Sequence, residues 1–332
     1  MRSYMNLFLC LGLLSVFLVA CGQEEGDSSK EEALTLDTPP DSVTLFAPGL
    51  ISTDQNVRDL ALSPDGRELF YTIVSPFNTF SAIVRLHQTA NGWSQPEIAT
   101  FSGRYSDLEP AFSPDGERLF FVSNRPLAGQ TGVKDFDIWY VERSPDGWEE
   151  PVNVGVPVNS EANEFYPSVA IGGNLYFTAA YENSKGLEDI YLSRFQNGRY
   201  LPPISLDSAI NTASYEFNAF VSPQEDLLIF TSYGRPDGLG GGDLYLSRKD
   251  ARGHWLPARH LEAPFNSTGL DYCPFISADN RLFFFTSNRT SIREFYETAV
   301  DLTTLDSLLS APQNGTGNIY WAGLDALGPY LR

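Results

Sequence analysis

Cysteine, histidine and positive charge are all scarce in this chain of 332 residues. It has 3 His, and its 22 Lys and Arg face 42 Asp and Glu, which gives a formal net charge of −20. An acidic surface repels phosphate backbones, so the composition disfavours a nucleic-acid partner, whereas a basic protein or a divalent cation remains compatible with it. His87, His254 and His260 show no metal-ligand spacing, so no metal site of the zinc type is predicted.

The 3 cysteines are Cys10, Cys21 and Cys273. Cys10 lies in an apolar stretch, residues 7–20, that is too short to span a bilayer and has the dimensions of a signal-peptide core. If that stretch is removed on export and Cys21 is modified, only Cys273 remains. No disulfide is then possible within the mature chain, and burial of apolar side chains must hold the remaining body of about 290 residues together.

The residues around the second cysteine, Leu18-Val19-Ala20-Cys21, are similar to the bacterial lipobox. The resemblance implies that residues 1–20 are a signal peptide and that Cys21 becomes a lipid-bearing N-terminus, anchored in the membrane by two or three acyl chains. Gly22, where Asp would favour the inner membrane, favours the outer membrane, with the body periplasmic or surface-exposed. The alternative is an ordinary secretory signal followed by an incidental cysteine.

Residues 21–41 contain the lipidated cysteine and a stretch that is acidic, poor in aromatic residues and closed by Pro39-Pro40. Such a composition buries too little apolar surface to fold, so we expect a disordered tether. Residues 42–332 are expected to form a single domain.

The folded part repeats one pattern about every 50 residues, which is typical of a β-propeller. A Ser-Pro-Asp-Gly turn links strand a to strand b, clearest at residues 61–71 and 111–121 and degraded after Val169, Phe220 and Phe275. Strand c follows as an Asp-Ile-Tyr type of sequence, and a Gly-Trp turn precedes strand d. We predict an all-β propeller of five four-stranded blades.

The fifth repeat lacks strand d, and residues 43–48 resemble that strand just before the first strand a. An N-terminal strand that completes the last blade would remove both sheet edges. Six blades are the alternative if residues 290–312 hide further strands.

The repeated SPDG, SNR and DI(W/Y) units are similar to the TolB-like, WD-type propeller repeats of bacterial envelope proteins. The resemblance covers nearly all of residues 43–332 and implies the fold. Blade 1 departs from the pattern because it lacks the Arg that begins the b-to-c loop and the Asp that opens strand c. Blade 3 departs from it because it has Ile171-Gly172-Gly173-Asn174 in place of SPDG.

Four acids recur three residues before the expected start of strand a, and we call them the frame acids: Asp107, Glu164, Glu216 and Asp271. One interpretation is structural: each carboxylate accepts backbone N–H groups and joins neighbouring blades. A second is catalytic, since five-bladed glycosidases place acids around a central funnel and mutual repulsion would raise some of their pKa values. A third is a Ca²⁺ site, although no Ca²⁺-binding loop motif is present.

The b-to-c loops and d-to-a connections are long and polar, so the face that carries them is the candidate binding face. Asp59, Glu109, Arg125, Arg235 and Arg289 are its candidate residues. The arginines are expected to pair with the residues that open strand c within the same blade, which are Asp137, Asp189, Asp243 and Asn318.

The function that these observations favour is an envelope lipoprotein whose propeller binds or scaffolds a protein or glycan partner, without a cofactor. The alternative is a glycan-active hydrolase that uses carboxylates at the central channel. Fold alone does not decide between them.

Overall fold

The computed structural model describes residues 34–332, and their strands form five antiparallel sheets with the order a-b-c-d. Strand a of each blade contacts strand a of the next, and the fifth strand a contacts the first, so the sheets close into a ring. The predicted five-bladed propeller is confirmed.

Four strands make each blade, and strand d is always the shortest. In blade 1 strands a to d are Asn56–Leu62, Glu68–Val74, Ser81–Thr89 and Glu97–Ile98. In blade 2 they are Asp107–Phe112, Arg118–Ser123, Asp137–Ser144 and Val152–Asn153. In blade 3 they are Glu164–Val169, Leu175–Ala179, Asp189–Ser193 and Ile204–Ser205. In blade 4 they are Tyr215–Val221, Leu227–Tyr233, Asp243–Arg248 and Arg259–His260. Blade 5 has Asp271–Ile276, Leu282–Ser287, Asn318–Gly323 and Thr44–Leu45.

Short strand pairs and helices complete the described chain. The c-to-d turns carry Gly92–Trp93, Gly147–Trp148, and the hairpin of Phe195–Gln196 with Arg199–Tyr200. Helix α1 is Leu302–Leu309, and single-turn 3₁₀ segments lie at Pro76–Asn78 and Leu324–Leu327.

The N-terminal strand closes the ring as predicted. Thr44 lies opposite Trp321 and Leu45 opposite Tyr320, so the first strand of the chain supplies strand d of the last blade. Phe46, which follows, is fully buried against Phe284 with ring centroids 5.1 Å apart.

The b-to-c connection of blade 5 contains a helix where a sixth blade was the alternative. Between Ser287 and Asn318 the structure has α1 and one isolated bridge, Thr290 with Asn314. Asp301 caps α1 by accepting the backbone N–H of Thr304, as N-cap aspartates do.

The SPDG turns are rigid because their side chains satisfy their own backbone. In blade 2 the Ser113 hydroxyl donates to Asp115 at 2.6 Å and accepts the backbone N–H of Arg118. That hydrogen bond from Ser113 is the main reason the pKa of Asp115 is lowered. Gly116 supplies the positive φ of 76° that the turn requires.

Residues 34–41, at the end of the predicted tether, lie against the propeller. Leu34 and Leu36 pack on the core between blades 5 and 1, and the Pro40 carbonyl accepts the backbone N–H of Gly323 at 2.8 Å. The described chain thus enters the propeller on the face that carries the a-to-b turns.

Candidate functional site

The four frame acids are completely buried at the start of each strand a. Each accepts a hydrogen bond from a Ser or Thr four or five residues earlier in the d-to-a connection, as Ser102 donates to Asp107 at 2.8 Å and Ser160 to Glu164 at 2.6 Å. In blades 3 to 5 that same connection also donates a backbone N–H, from Ser160, Thr212 and Ser267. The backbone bonds in blades 3 to 5 are of the kind that the structural interpretation of the acids proposes, whereas Asp107 is engaged by the side chains of Ser102 and Arg125.

The three arginines pair with frame acids, not with the strand c residues that the sequence analysis expected. Arg125 lies 2.7 Å from Asp107, Arg235 3.1 Å from Glu216, and Arg289 2.7 Å from Asp271. Each arginine also donates through Nε to a serine at the last or next-to-last position of strand b, for example Arg125 to Ser123 at 2.8 Å.

The strand c acids are engaged by the b-to-c loop that precedes strand c, which explains why the arginines pair elsewhere. Asp189 accepts the backbone N–H groups of Lys185 and Gly186, and Asp243 accepts that of Leu239. Asp137 lies 2.5 Å from Lys134. These acids therefore order the b-to-c loops, a role that the sequence analysis missed.

Blade 3 has no arginine, and Tyr181 takes its place. The Tyr181 hydroxyl donates to Glu164 at 2.9 Å. With no cation beside it, Glu164 has its pKa raised by burial from 4.5 to about 7. Glu164 thus holds a proton more readily than an ordinary glutamate does.

Residues of the d-to-a connection also clamp the preceding blade. Asn159 accepts the backbone N–H of Ile138 and donates to its carbonyl, and Asn211 does the same to Ile190. The sequence analysis missed this contact.

Every strand a carries a bulge two residues beyond the position of the frame acid, and the bulge residue has a positive φ. The register of strand a against strand b shifts there in all five blades. The five bulge residues, with φ between 48° and 61°, are Asp59, Glu109, Tyr166, Asn218 and Cys273.

These bulge residues and Arg58 form a central network that joins all five blades. Arg58 lies 2.6 Å from both Asp59 and Glu109. Glu109 also accepts the Tyr166 backbone N–H at 2.6 Å and the Asn218 side chain at 3.2 Å. The Cys273 thiol donates to Asp59 at 2.7 Å.

Burial dominates the electrostatics of the central network. It raises the pKa of Glu109 to about 7, although Arg58 opposes the shift. It likewise raises the pKa of the Cys273 thiol well above its ordinary value. Burial disfavours the charge on Arg58, but Asp59 and other neighbours outweigh it and raise the arginine's pKa. Burial therefore favours the protonated form of both Glu109 and Cys273, and the thiol is protonated at neutral pH.

The sequence analysis placed Asp59, Glu109 and the three arginines on a binding face, and the structure buries most of their surface. Asp59 is 1% and Glu109 3% exposed, and the Arg289 side chain, the most exposed of the five, reaches 20%. Arg58, Tyr166, Asn218 and Cys273 were missed. The signal that could have found Tyr166, Asn218 and Cys273 is their shared position, two residues after the frame acid of each repeat.

A small cavity of about 90 Å³ lies in the channel on the side of the a-to-b turns, beside Glu109 and Tyr166. Apolar residues such as Phe112, Val169 and Phe220 line much of it. Pockets for small-molecule ligands usually measure about 300–1,000 Å³. A cavity of this size accommodates water but not a sugar ring.

Residues 34–332 contain neither a cluster of metal ligands nor a membrane-spanning helix. No group of three or more His, Cys, Asp and Glu side chains gathers there in an arrangement that could hold a metal ion. No helix of that part of the chain combines the length and apolar character needed to cross a bilayer. Cys21, the predicted lipid attachment site, lies outside the described residues.

The b-to-c loops present large apolar side chains to solvent in every blade. Their exposed residues, from blade 1 to blade 5, include Phe77 at 98%, Val133 at 70%, Leu187 at 61%, Leu239 at 49% and Phe295 at 75%. Helix α1 adds Leu302 at 72% and Leu309 at 52%. A single exposed apolar residue needs no explanation, but their recurrence in the b-to-c loop of every blade makes this face a candidate interaction surface.

Phe77 is held in this exposed position against its backbone preference. Its φ is 63°, a left-handed value that is unusual for a bulky residue and costs on the order of 1–3 kcal/mol. The Ser75 hydroxyl fixes the loop by accepting the backbone N–H of Phe80 at 2.8 Å. Strain that projects an aromatic ring into solvent is typical of a functional loop.

No protein-family model and no curated protein sequence matches the chain. Among solved structures it is similar to TolB from Acinetobacter baumannii, at 14% identity over 81% of this chain and 54% of that one, with a TM-score of 0.45. It is also similar to an endo-arabinase from Bacteroides thetaiotaomicron, at 14% identity over 86% and 97% of the two chains, with a TM-score of 0.48.

An alpha-L-arabinofuranosidase from Lactobacillus brevis gives 14% identity over 83% and 91%, with a TM-score of 0.47. The chain spans about half the length of the TolB structure. Neighbours this distant do not distinguish binding from hydrolysis, and the propeller is established by the strand pairing itself.

Proposed function

We propose that this chain is a lipid-anchored envelope protein whose propeller binds a partner protein through the face of the b-to-c loops. The observation that carries the proposal is the exposure of large apolar side chains in the b-to-c loop of every blade. Interfaces between proteins concentrate their binding energy in a few such residues, aromatic ones above all. Phe77 and Phe295 are the aromatic candidates.

Binding is favoured over hydrolysis by the state of the carboxylates. All four frame acids are fully buried and engaged by side chains of their own blade. The central carboxylates, Asp59 and Glu109, share Arg58 beneath a cavity of about 90 Å³. A glycosidase needs one acid and one base free to contact its substrate, and these acids serve the ring instead.

The first described residues and the proposed binding face lie at opposite ends of the strands. The described chain enters the propeller at Leu34, beside the a-to-b turns. Residues 34–37 therefore do not cover the apolar b-to-c loops.

The anchor is tested by Cys21→Ser in the native host. We expect the protein to leave the membrane fraction, because acyl chains on Cys21 are its proposed attachment. Fractionation and gel mobility are the measurements. A variant that stays in the membrane pellet with the mobility of the wild type would contradict the lipid anchor.

The binding face is tested by a matched pair of substitutions, Leu239→Ser in a b-to-c loop and Ile204→Ser on strand d. The two side chains are 49% and 50% exposed, so each loses a similar apolar surface to solvent. Proteins that copurify with the tagged chain from detergent-solubilised envelopes would be quantified by mass spectrometry. We expect Leu239→Ser to deplete one specific partner at least about tenfold and Ile204→Ser to retain it; equal retention would argue against the b-to-c face.

A further inference from the structure

A cleft of about 760 Å³ opens between blades 2 and 3 on the face of the a-to-b turns, away from the proposed partner face. One wall is the blade 2 turn, residues 113–118, and the other is the blade 3 turn with the hairpin residues Phe195 and Tyr200. The cleft lies within the usual range for a ligand site, about 300–1,000 Å³.

The sequence of blade 3 explains why this cleft is open. Gly172 stands where the blade 2 turn has Asp115, and a Cβ at Gly172 would meet no atom within 4 Å. Phe195 packs beside Gly173 and forms a tilted pair with Tyr200, with ring centroids 5.0 Å apart. An aromatic wall therefore faces a turn in which Ile171, 67% exposed, is followed by two glycines.

The equivalent cleft between blades 5 and 1 is lined by part of this chain itself. Residues 34–37 lie there between the blade 5 turn and the blade 1 hairpin that ends in Trp93. Leu34 and Leu36 pack against the apolar cluster that contains Leu62 and Leu282. Side chains two residues apart in an extended segment point the same way, which places both leucines on one surface.

The two clefts share their recognition groups. Arg281 directly precedes the first leucine of strand b in blade 5, and its Nη1 donates to the Asp37 carbonyl at 3.5 Å. Arg118 occupies the same position in blade 2, and Tyr200 the hairpin position of Trp93. The groups around the leucine-containing segment in one cleft are thus repeated around the other.

The charges of the open cleft suit a neutral peptide backbone. Arg118 lies 2.7 Å from Glu142, and Arg143 lies 2.6 Å from Glu68, so both guanidinium groups already have a carboxylate. Arg118 is 42% exposed and keeps donors for a carbonyl. An anionic ligand would find its cations already paired.

We propose that the cleft between blades 2 and 3 binds an extended segment of a partner protein that carries apolar side chains at alternate positions. The segment would lie as Leu34–Asp37 lie between blades 5 and 1, with its apolar side chains against Phe195 and Tyr200 and a carbonyl near Arg118. This site is separate from the b-to-c face, and neither proposal depends on the other.

The test uses a fluorescent peptide with the sequence of residues 32–40, EALTLDTPP, titrated with the full chain in detergent. We expect a saturable rise in anisotropy with a Kd below about 1 mM. The affinity should stay modest because the contacts are few and the peptide loses conformational entropy when it binds. A peptide with both leucines changed to serine should bind at least about tenfold more weakly.

Gly172→Trp introduces a large side chain beside the open cleft, at a position where a Cβ meets no atom within 4 Å, and should weaken binding at least about tenfold. Ala278→Trp, in the cleft between blades 5 and 1, is the control and should leave the affinity unchanged. Thermal melts check that both variants fold, and Tyr200→Leu replaces Gly172→Trp if that variant does not.

Two outcomes would overturn the proposal. One is the absence of saturable binding up to about 1 mM peptide. The other is loss of binding in Ala278→Trp but not in Gly172→Trp, which would mean that the peptide exchanges with the chain's own segment.

Discussion

Single residues at fixed positions of the repeat hold the propeller together. The frame acids and the d-to-a asparagines recur because each blade has the same backbone groups and side chains to satisfy. Such recurrence was visible in the sequence and supported the structural interpretation of the acids. The pairing of arginines with frame acids was not visible, because spacing alone does not show which of two nearby carboxylates the loop already engages.

Glu164 and Glu216 occupy one position of the repeat but have different partners, so their amide variants should behave differently. Glu216→Gln leaves Arg235, whose side chain is 12% exposed, without its carboxylate and should cost about 3 kcal/mol at any pH near neutral. Glu164→Gln removes no ion pair and should cost about 1 kcal/mol at about pH 5.

The pH dependence of Glu164 separates the two variants further. Because burial raises its folded-state pKa from 4.5 to about 7, its contribution to stability is present below pH 4.5 and is lost as the pH rises through about 7. Wild type should therefore lose stability relative to Glu164→Gln between about pH 5 and about pH 8, by up to about 3 kcal/mol. Urea unfolding at both pH values measures this; equal costs for the two variants would contradict the account.

At the scale of elements, strands a to c were predictable because their turns carry chemical signatures. The SPDG sequence needs its serine, aspartate and glycine for hydrogen bonds within the turn, so it marks the end of strand a. The bulges in strand a were not predictable, since Asp59, Tyr166 and Cys273 share no residue type that signals a positive φ. Helix α1 was missed by the sequence analysis, and none of its residues is buried against the propeller.

The closing strand gives a prediction at this scale. Deleting the chain through Asp41 removes Leu34 and Leu36 from partly buried positions and should lower stability by about 1–3 kcal/mol. Deleting through Pro48 also removes the fully buried Phe46 and strand d of blade 5, and should cost a further 3 kcal/mol or more, roughly. Thermal melts of the two truncations would show this order, and equal melting temperatures would refute N-terminal closure.

At the scale of the whole molecule, the propeller has a polar interior and two surfaces that we propose for binding. The central network and the frame acids join the blades, while exposed apolar side chains gather on the b-to-c loops. On the face of the b-to-c loops the sequence analysis chose charged residues as candidates, and the structure buries most of their surface. Exposure of Phe77 or Leu239 could not be judged from the sequence, because an apolar residue in a loop is as often buried as exposed.

The central claim is that the b-to-c loops contact a partner protein, and site-specific photocrosslinking tests it most directly. A photoreactive residue would be placed in the native host at Phe77, Leu239 or Phe295, and at the strand d positions Ile98 and Ile204 as matched exposed controls. The account predicts that the loop positions give adducts with the same partner and that the strand d positions give none. Adducts that form equally at both sets of positions, or at the strand d positions alone, would contradict it.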